Sequence, residues 1–138
     1  SGPSRTGLEL SYAIKSAMKE SAIAANDLSF ISAHGTATVY NDEMEAKAFA
    51  NASLLEVPLN SLKGHFGHTL GAAGVLESIF TYQSLIEQIV LPSKNFETIG
   101  VSENVNVSKA LAKSSKIHAL KTASGFGGCN AAIIYSRN

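Results

Sequence analysis

The stretch from Leu59 to Glu77, LNSLKGHFGHTLGAAGVLE, most constrains what this chain can fold into. It places one lysine, two histidines and four glycines at the start of an apolar run with helical spacing. Glycine lowers helix propensity, and a buried lysine or histidine needs a hydrogen-bonding partner. A core alone does not require these residues, so the stretch is predicted to contain a functional site. Its small residues also indicate a helix that passes close to another backbone or accepts a ligand at its N-terminus.

Apolar periodicity predicts helices alternating with strands along the chain. The predicted helices span 7–21, 42–52 with Asn41 as N-cap, and 68–89; the predicted strands span 28–33, 57–61, 117–123 and 129–135. Val105 and Val107 indicate one strand edge in the poorly patterned segment 91–111. The last two strands flank a glycine-rich loop and are expected to pair antiparallel. The fold class is therefore α/β, a mixed β-sheet layered with α-helices and ending in an antiparallel strand pair.

Composition limits the classes of partner. At 138 residues the chain is expected to form about one domain. Eleven basic residues balance eleven acidic ones, so bulk charge does not favour nucleic acid or an anionic membrane. No apolar run reaches the roughly 20 residues of a membrane span, and no signal peptide is evident. The single cysteine, Cys129, excludes an internal disulfide framework and fits a reducing cytosol, so a cytoplasmic location is expected.

The first chemical motif is His34-Gly35-Thr36-Ala37-Thr38, directly after a predicted strand. Open α/β sheets bind their ligands at the carboxyl ends of strands, where this histidine would lie. Gly35 would let a substrate approach the backbone, and the hydroxyls of Thr36 and Thr38 could bind an amide or carbonyl. The alternative is a turn with a satisfied histidine, whose threonines cap the next helix.

The second motif is Lys63-Gly64-His65-Phe66-Gly67-His68. Glu77 would reach Lys63 only through a tertiary contact, and a buried ion pair of this kind suggests a purpose beyond stability. His65 and His68 have a spacing that also occurs in zinc sites. The other ligands would have to come from a set with no recognisable spacing: Asp42, His118 or Cys129. No metal site is therefore expected, and no glycine motif continues as a nucleotide-binding P-loop.

The third motif is the loop Gly125-Phe126-Gly127-Gly128-Cys129-Asn130. Backbone N–H groups in such a loop can point at a developing oxyanion. The alternative is a hairpin that happens to be rich in glycine. His118 lies within a predicted strand and is interpreted as structural.

Together and in this order, the three motifs resemble the carboxyl half of a β-ketoacyl-acyl-carrier-protein synthase. That family carries HGTxT followed by GDxxEA, where this chain has HGTAT and NDEMEA. It carries SxKxxxGHxxGAAGxxE, which SLKGHFGHTLGAAGVLE matches at every fixed position, and FGFGGTNA, where this chain has SGFGGCNA. The resemblance implies a thiolase-like fold of two similar halves. Residues 1–138 would be the second half, without the first half that carries the nucleophilic cysteine.

The resemblance also assigns roles to single residues in the decarboxylative condensation of malonyl-carrier protein with an acyl thioester. His34 and His68 would stabilise the enolate at the malonyl thioester carbonyl. Lys63, paired with Glu77, would set the electrostatics of the site and the histidine protonation states. His65 matches no fixed position and is left out of the site.

The same resemblance assigns roles to three further residues, which would bind the pantetheine arm or stabilise the oxyanion. Thr36 and Thr38 would bind the pantetheine arm of acyl carrier protein, while Phe126 would supply an oxyanion-hole N–H and a gating ring. No cofactor is implied, because the substrates are carried on the phosphopantetheine of the carrier protein. The expected partners are acyl carrier protein, the missing N-terminal half, and a second subunit in a homodimer or a ketosynthase heterodimer.

Three departures and two alternatives accompany this interpretation. Asn41 replaces a family glycine, Ser124 replaces the first phenylalanine of the glycine loop, and Cys129 stands at a threonine position and is not the expected nucleophile.

The isolated chain is expected to be inactive and to expose a large apolar face. The main alternative is a non-catalytic partner resembling a chain-length factor, and the less favoured one is a thiolase.

Overall fold

The computed structural model describes residues 2–138 and is built on a four-stranded sheet. The strands are β1 (Leu28–Ser32), β2 (Leu59–Asn60), β3 (Ile89–Val90), β4 (Ala112–Lys113), β5 (His118–Ser124) and β6 (Asn130–Ser136). The helices are α1 (Leu8–Glu20), α2 (Val39–Asn51), α3 (Lys63–Phe66) and α4 (Ala73–Ile86). The sheet order is β2–β1–β5–β6; β1 is parallel to β2 and β5, and β6 is antiparallel to β5. The predicted mixed sheet with a terminal antiparallel pair is present.

Helices α1 and α2 cover one face of this sheet. Their buried side chains recur at helical spacing, as with Leu10 and Ile14 on α1, and they pack on Ile31 of β1 and Leu120 of β5. Phe49 of α2 is fully enclosed in the same cluster. This layer holds α2 beside the carboxyl end of β1, where the first motif begins.

Helix α4 covers the opposite face. Successive strand residues alternate between the faces, so Phe30 of β1 turns toward Leu85 of α4 while Ile31 points to the other layer. The outer side of α4 is apolar and uncovered in the described chain; Val75 and Ile79 are 68% and 60% exposed. The expected exposed apolar face is therefore present, and α4 carries it.

Asn41 is not the N-cap of α2, contrary to the sequence prediction. Thr38 occupies that position, and its carbonyl accepts the N–H of Asp42 at 3.0 Å. Asn41 lies in the first turn with its side chain buried, where it donates to Glu45 Oε2 at 2.9 Å. An asparagine near a helix start favours a cap, whereas here its amide satisfies a buried carboxylate.

The helix predicted over 68–89 is shorter than the periodicity indicated. Gly67 and Leu70 have φ values of 82° and 53°, which a continuous right-handed helix cannot contain. The chain therefore forms α3, a 3₁₀ turn at Leu70–Ala72, and then α4, which ends at Ile86. No helix among residues 2–138 combines the length and apolar character needed to cross a membrane.

A second, two-stranded sheet of β3 and β4 was missed because each strand has only two residues and shows no periodicity. The strand edge predicted at Val105 and Val107 is reduced to a single parallel bridge between Val107 and Leu59. The strand predicted over 57–61 is likewise limited to Leu59–Asn60.

Candidate active site

The loop after β1 brings His34 to the carboxyl edge of the sheet, as the sequence predicted. Gly35 has a φ of 45°, and a Cβ there would lie 2.6 Å from Ser61 Oγ. The Ser61 hydroxyl donates to the Gly35 carbonyl at 2.7 Å. Only glycine combines this backbone conformation with this contact, so the sharp turn that follows the buried His34 depends on Gly35.

Glu45 of α2 fixes the same loop from one face of the sheet. Its carboxylate accepts the N–H groups of His34 at 2.8 Å and Gly35 at 2.7 Å, together with the Thr122 hydroxyl at 3.2 Å. Burial raises the pKa of Glu45, and the hydrogen bonds from Gly35 and His34 oppose that shift. The resemblance included this glutamate in a motif without giving it a role.

Lys63 lies between His34 and Glu77, and its pair with Glu77 is the tertiary contact that the second motif suggested. Its Nζ lies 3.2 Å from His34 Nδ1, 2.5 Å from the His34 carbonyl, and 2.9 Å from Glu77 Oε2. The Lys63 and Glu77 side chains are 7% and 1% exposed, so the ion pair is buried. An ammonium group only donates hydrogen bonds, so Nδ1 of His34 accepts and the imidazole proton is assigned to Nε2.

His68 has the same tautomer for a different reason. The N–H of Leu70 donates to His68 Nδ1 at 3.0 Å, which again leaves the proton on Nε2. The two imidazole rings meet edge to face with centroids 5.2 Å apart. Burial, followed by Lys63 and Lys121, lowers the pKa of His34 to about 4, so this ring is neutral at neutral pH. The site thus presents two adjacent Nε2–H donors able to bind an oxygen that gains negative charge.

Glu77 has a second buried cation as partner, Lys121 of β5, which the sequence reasoning missed. Lys121 Nζ lies 2.8 Å from Glu77 Oε1. Burial alone would raise the pKa of Glu77, but Lys121 and Lys63 hold it below its ordinary value. A signal was available, because a lysine inside a strand paired on both sides is unusual unless it is matched by a buried charge.

The predicted pantetheine-binding threonines stand at the rim of the site. Thr36 and Thr38 share a hydrogen bond between their hydroxyls at 2.7 Å, and neither side chain caps α2. The Thr36 N–H donates to Asp42 at 3.2 Å, and burial raises the pKa of Asp42. A cavity of about 740 Å³ opens here; its lining includes Thr36, Asp42, Ser61, Lys63, His68 and Phe96.

Phe126 is not in contact with the histidines within the described chain. It lies on the loop between β5 and β6, at the same edge of the sheet as His34, and is 98% exposed. Ser124 of this loop donates to Asn130 at 2.9 Å, and Cys129 is exposed. The loop is a glycine-rich hairpin turn that carries the phenylalanine into open space.

The remaining histidines lie outside this cluster. His65 contacts the Pro92 carbonyl at 2.9 Å, and His118 contacts Ser136 across the β5–β6 pair at 2.7 Å, in agreement with its structural interpretation. Residues 2–138 contain no group of three or more His, Cys, Asp or Glu side chains arranged to hold a metal ion.

Comparison with known proteins identifies the family. The family model of the β-ketoacyl synthase C-terminal domain matches residues 1–97. The chain belongs to the β-ketoacyl synthase C-terminal domain family. The match includes the first two motifs, and the sequence relatives extend the similarity through the glycine loop.

Two curated relatives show the extent of the sequence similarity. A putative mitochondrial 3-oxoacyl-[acyl-carrier-protein] synthase of Schizosaccharomyces pombe is 33% identical over 98% of this chain and 34% of its own length. A putative polyketide β-ketoacyl synthase of Streptomyces cyaneus is 31% identical over 96% of this chain and 32% of its own length. The chain thus spans about a third of the length of the curated relatives it matches.

Solved β-ketoacyl synthase structures share the fold. A β-ketoacyl synthase from Burkholderia phymatum superimposes with a TM-score of 0.91 at 26% identity, covering 100% of this chain and 34% of that one. A Xenorhabdus doucetiae ketosynthase in complex with its chain length factor gives 0.90 at 26% identity, covering 100% and 35%. The expected thiolase-like α/β fold is confirmed.

Proposed function

We propose that this chain contributes the malonyl-decarboxylating part of a 3-oxoacyl-acyl-carrier-protein synthase active site in fatty acid or polyketide synthesis. The observation that carries the proposal is the pair of adjacent imidazoles, His34 and His68, each with Nδ1 occupied as an acceptor and Nε2–H left to donate. Two neutral N–H donors suit a thioester oxygen that becomes an enolate when carbon dioxide leaves. The buried Lys63–Glu77 pair supports the tautomer of His34.

The proposed reaction joins two carrier-bound acyl groups. The malonyl thioester loses carbon dioxide, and the electron pair of the broken C–C bond forms an enolate whose oxygen accepts both Nε2–H groups. The enolate carbon then attacks an acyl thioester on a cysteine and releases the thiolate. That cysteine would come from an N-terminal half joined to this chain, because Cys129 stands at a threonine position of the family in the glycine loop. The 138-residue chain alone is therefore expected to be inactive.

Binding and partners follow from the same proposal. Thr36, half-buried in the cavity lining, and the exposed Thr38 hydrogen-bonded to it would bind the pantetheine arm of acyl carrier protein. Phe126 would supply its N–H to the oxyanion and gate the acyl pocket once the N-terminal half covers the loop. No further cofactor is required. A second subunit, identical or related, would complete the enzyme; one solved neighbour is a type II polyketide acyl carrier protein in complex with its ketosynthase.

A non-catalytic partner resembling a chain length factor is the second candidate, since one structural neighbour is a ketosynthase with such a factor. The presence of His34, Lys63 and His68 in one hydrogen-bonded cluster favours catalysis, because a partner that only shapes a pocket does not require this set. The thiolase alternative has no comparable support.

The test is decarboxylation of malonyl-acyl-carrier protein by the complete protein that carries this chain. We expect His34→Ala and His68→Ala each to reduce the rate at least about 100-fold, since each removes a donor to the enolate. His65→Ala is the matched control, a histidine of the same stretch outside the cluster, and should retain the rate. Wild-type protein without decarboxylation, or full activity in both variants, would contradict the proposal.

A further inference from the structure

Lys121 is the buried cation that the proposed reaction does not use. It lies in β5, which is paired on both sides, and its side chain is 3% exposed. Its Nζ lies near four oxygen atoms: Glu77 Oε1 at 2.8 Å, the Thr122 carbonyl at 2.7 Å, and the Ala33 and Ser32 carbonyls at 3.3 and 3.4 Å. The ammonium group is thus enclosed by a carboxylate and the carbonyls of two neighbouring strands.

Stability alone does not account for this second cation. Glu77 already has one buried cation as partner, Lys63, whose Nζ lies 2.9 Å from Oε2 and 3.1 Å from Oε1. Each buried ammonium loses its hydration, and burial lowers the pKa of Lys121, a shift that Glu77 opposes. A methionine in place of Lys121 would occupy similar space without that loss. A role linked to the site explains the arrangement better.

We propose that Lys121 is a positioning residue: it fixes Glu77 against the carboxyl end of β1 and thereby keeps Lys63 on Nδ1 of His34. Lys121 binds Glu77 Oε1 at 2.8 Å, and Lys63 makes the shorter of its two contacts with this carboxylate, 2.9 Å, at Oε2. With Lys63 donating to Nδ1, the proton of His34 stays on Nε2, where the enolate needs it. The catalytic meaning of this inference rests on the proposed function, whereas its structural content does not.

The charge of Lys121 acts in the same direction. The titratable groups around His34 come from every neighbouring element: Lys63, His68, Glu77, Lys121 and Glu45. Besides burial, the largest cause, Lys63, Lys121 and His68 lower the pKa of His34, and Glu77 raises it. Loss of Lys121 would remove one positive charge and leave Glu77 less compensated. Both changes raise the pKa of His34.

The experiment follows His34 by NMR in the complete protein with ¹⁵N-labelled histidine, with the signal assigned from its loss in His34→Gln. We expect the pKa of His34 to rise by about one unit or more in Lys121→Met, with loss of the pure Nε2–H signature at neutral pH. Lys121→Gln keeps an N–H donor without the charge and is measured in parallel, in case the methionine variant does not fold. Lys113→Met, an exposed lysine on β4, is the matched control.

Chemical rescue separates positioning from general folding. Lys121→Ala should lower kcat for malonyl decarboxylation about 10-fold with little change in KM, and added ethylammonium should restore kcat and the His34 titration. An unchanged His34 titration and tautomer in the folded Lys121 variants would overturn the inference, as would failure of ethylammonium to restore either property. The NMR readout needs no substrate, so an inactive wild type would refute the proposed function and leave the Lys121 test intact.

Discussion

At the scale of single residues, the site is a set of side chains that hold one another in defined protonation states. Burial makes His34 neutral, and Lys63 determines which nitrogen carries its proton. Glu77 binds both lysines, and its charge opposes their lowering of the His34 pKa. The proposed chemistry therefore depends on the hydrogen bonds to Nδ1 of each ring as much as on the rings themselves.

The depressed pKa of His34 predicts a loss of stability in acid. The unfolded histidine takes up a proton near its ordinary pKa of 6.5, whereas the folded one does so only at a pKa of about 4, so the free energy of unfolding falls between these values. By pH 5 the loss is about 2 kcal/mol. Urea unfolding of the complete protein at pH 7 and pH 5 measures this loss of free energy of unfolding. The loss in His34→Gln should be smaller than in the wild type by that amount. Equal losses in both proteins would exclude a depressed pKa.

At the scale of elements, two helices on opposite faces of the sheet hold the loop after β1. Adjacent residues of β5 reach opposite layers: Lys121 binds Glu77 of α4, and Thr122 binds Glu45 of α2. Ser61, just after β2, supports the loop from the side. Four elements therefore fix the geometry of a single turn.

This packing predicts that Gly35→Ala is strongly destabilising. The added methyl group would meet Ser61 in a conformation that alanine adopts poorly, so we expect a loss of about 2 kcal/mol or more in the free energy of unfolding. Gly127→Ala is the matched control, since Gly127 also has a positive φ, 83°, but a Cβ there would meet nothing within 4 Å of the described chain. Comparable losses in the two variants would show that backbone strain alone, without the Ser61 contact, determines the effect.

Sequence patterns predicted the elements that carry their own periodicity and missed those made by tertiary contact. Helix α1 and strands β5 and β6 lie within one residue of their predicted bounds. Strands β3 and β4 exist only because they meet each other. In the site, the second motif contained Lys63 and Glu77, whereas Lys121 has its carboxylate partner 44 residues away. The position of Lys121 inside a predicted strand could mark it as unusual but could not identify Glu77 as its partner.

At the scale of the whole molecule, the outer side of α4 remains uncovered. Its exposed apolar side chains are Val75, Ile79, Tyr82 and Ile86. At the start of α4, an added Cβ on Gly71, in the preceding 3₁₀ turn, or on Gly74, in the first turn of the helix, would have no contact within 4 Å in the described chain. The close backbone approach expected from these glycines is thus absent from residues 2–138, and the space they leave is open.

We therefore predict that the isolated 138-residue chain self-associates through α4. Contiguous apolar surface of this kind is unfavourable in water and drives association. Light scattering should report species larger than the 14.5 kDa monomer, and Val75→Glu with Ile79→Lys should shift them toward the monomer. Val39→Glu removes an equally exposed apolar side chain away from α4 and should not. A wild-type monomer that binds no hydrophobic dye would contradict the prediction.

Helix α4, which has fourteen residues, carries Glu77 on its inner side and the apolar residues on its outer side. Any partner that packs on the outside therefore sets the depth and rotation at which the carboxylate meets its two lysines. The hydrogen bonds of Glu77 to Lys121 and Lys63, 2.8 and 2.9 Å long, would be broken by a displacement of α4 by about 1 Å. The position of α4 therefore links assembly to the tautomer of His34. A loosened interface would show first as His34 carrying its proton on Nδ1 instead of Nε2.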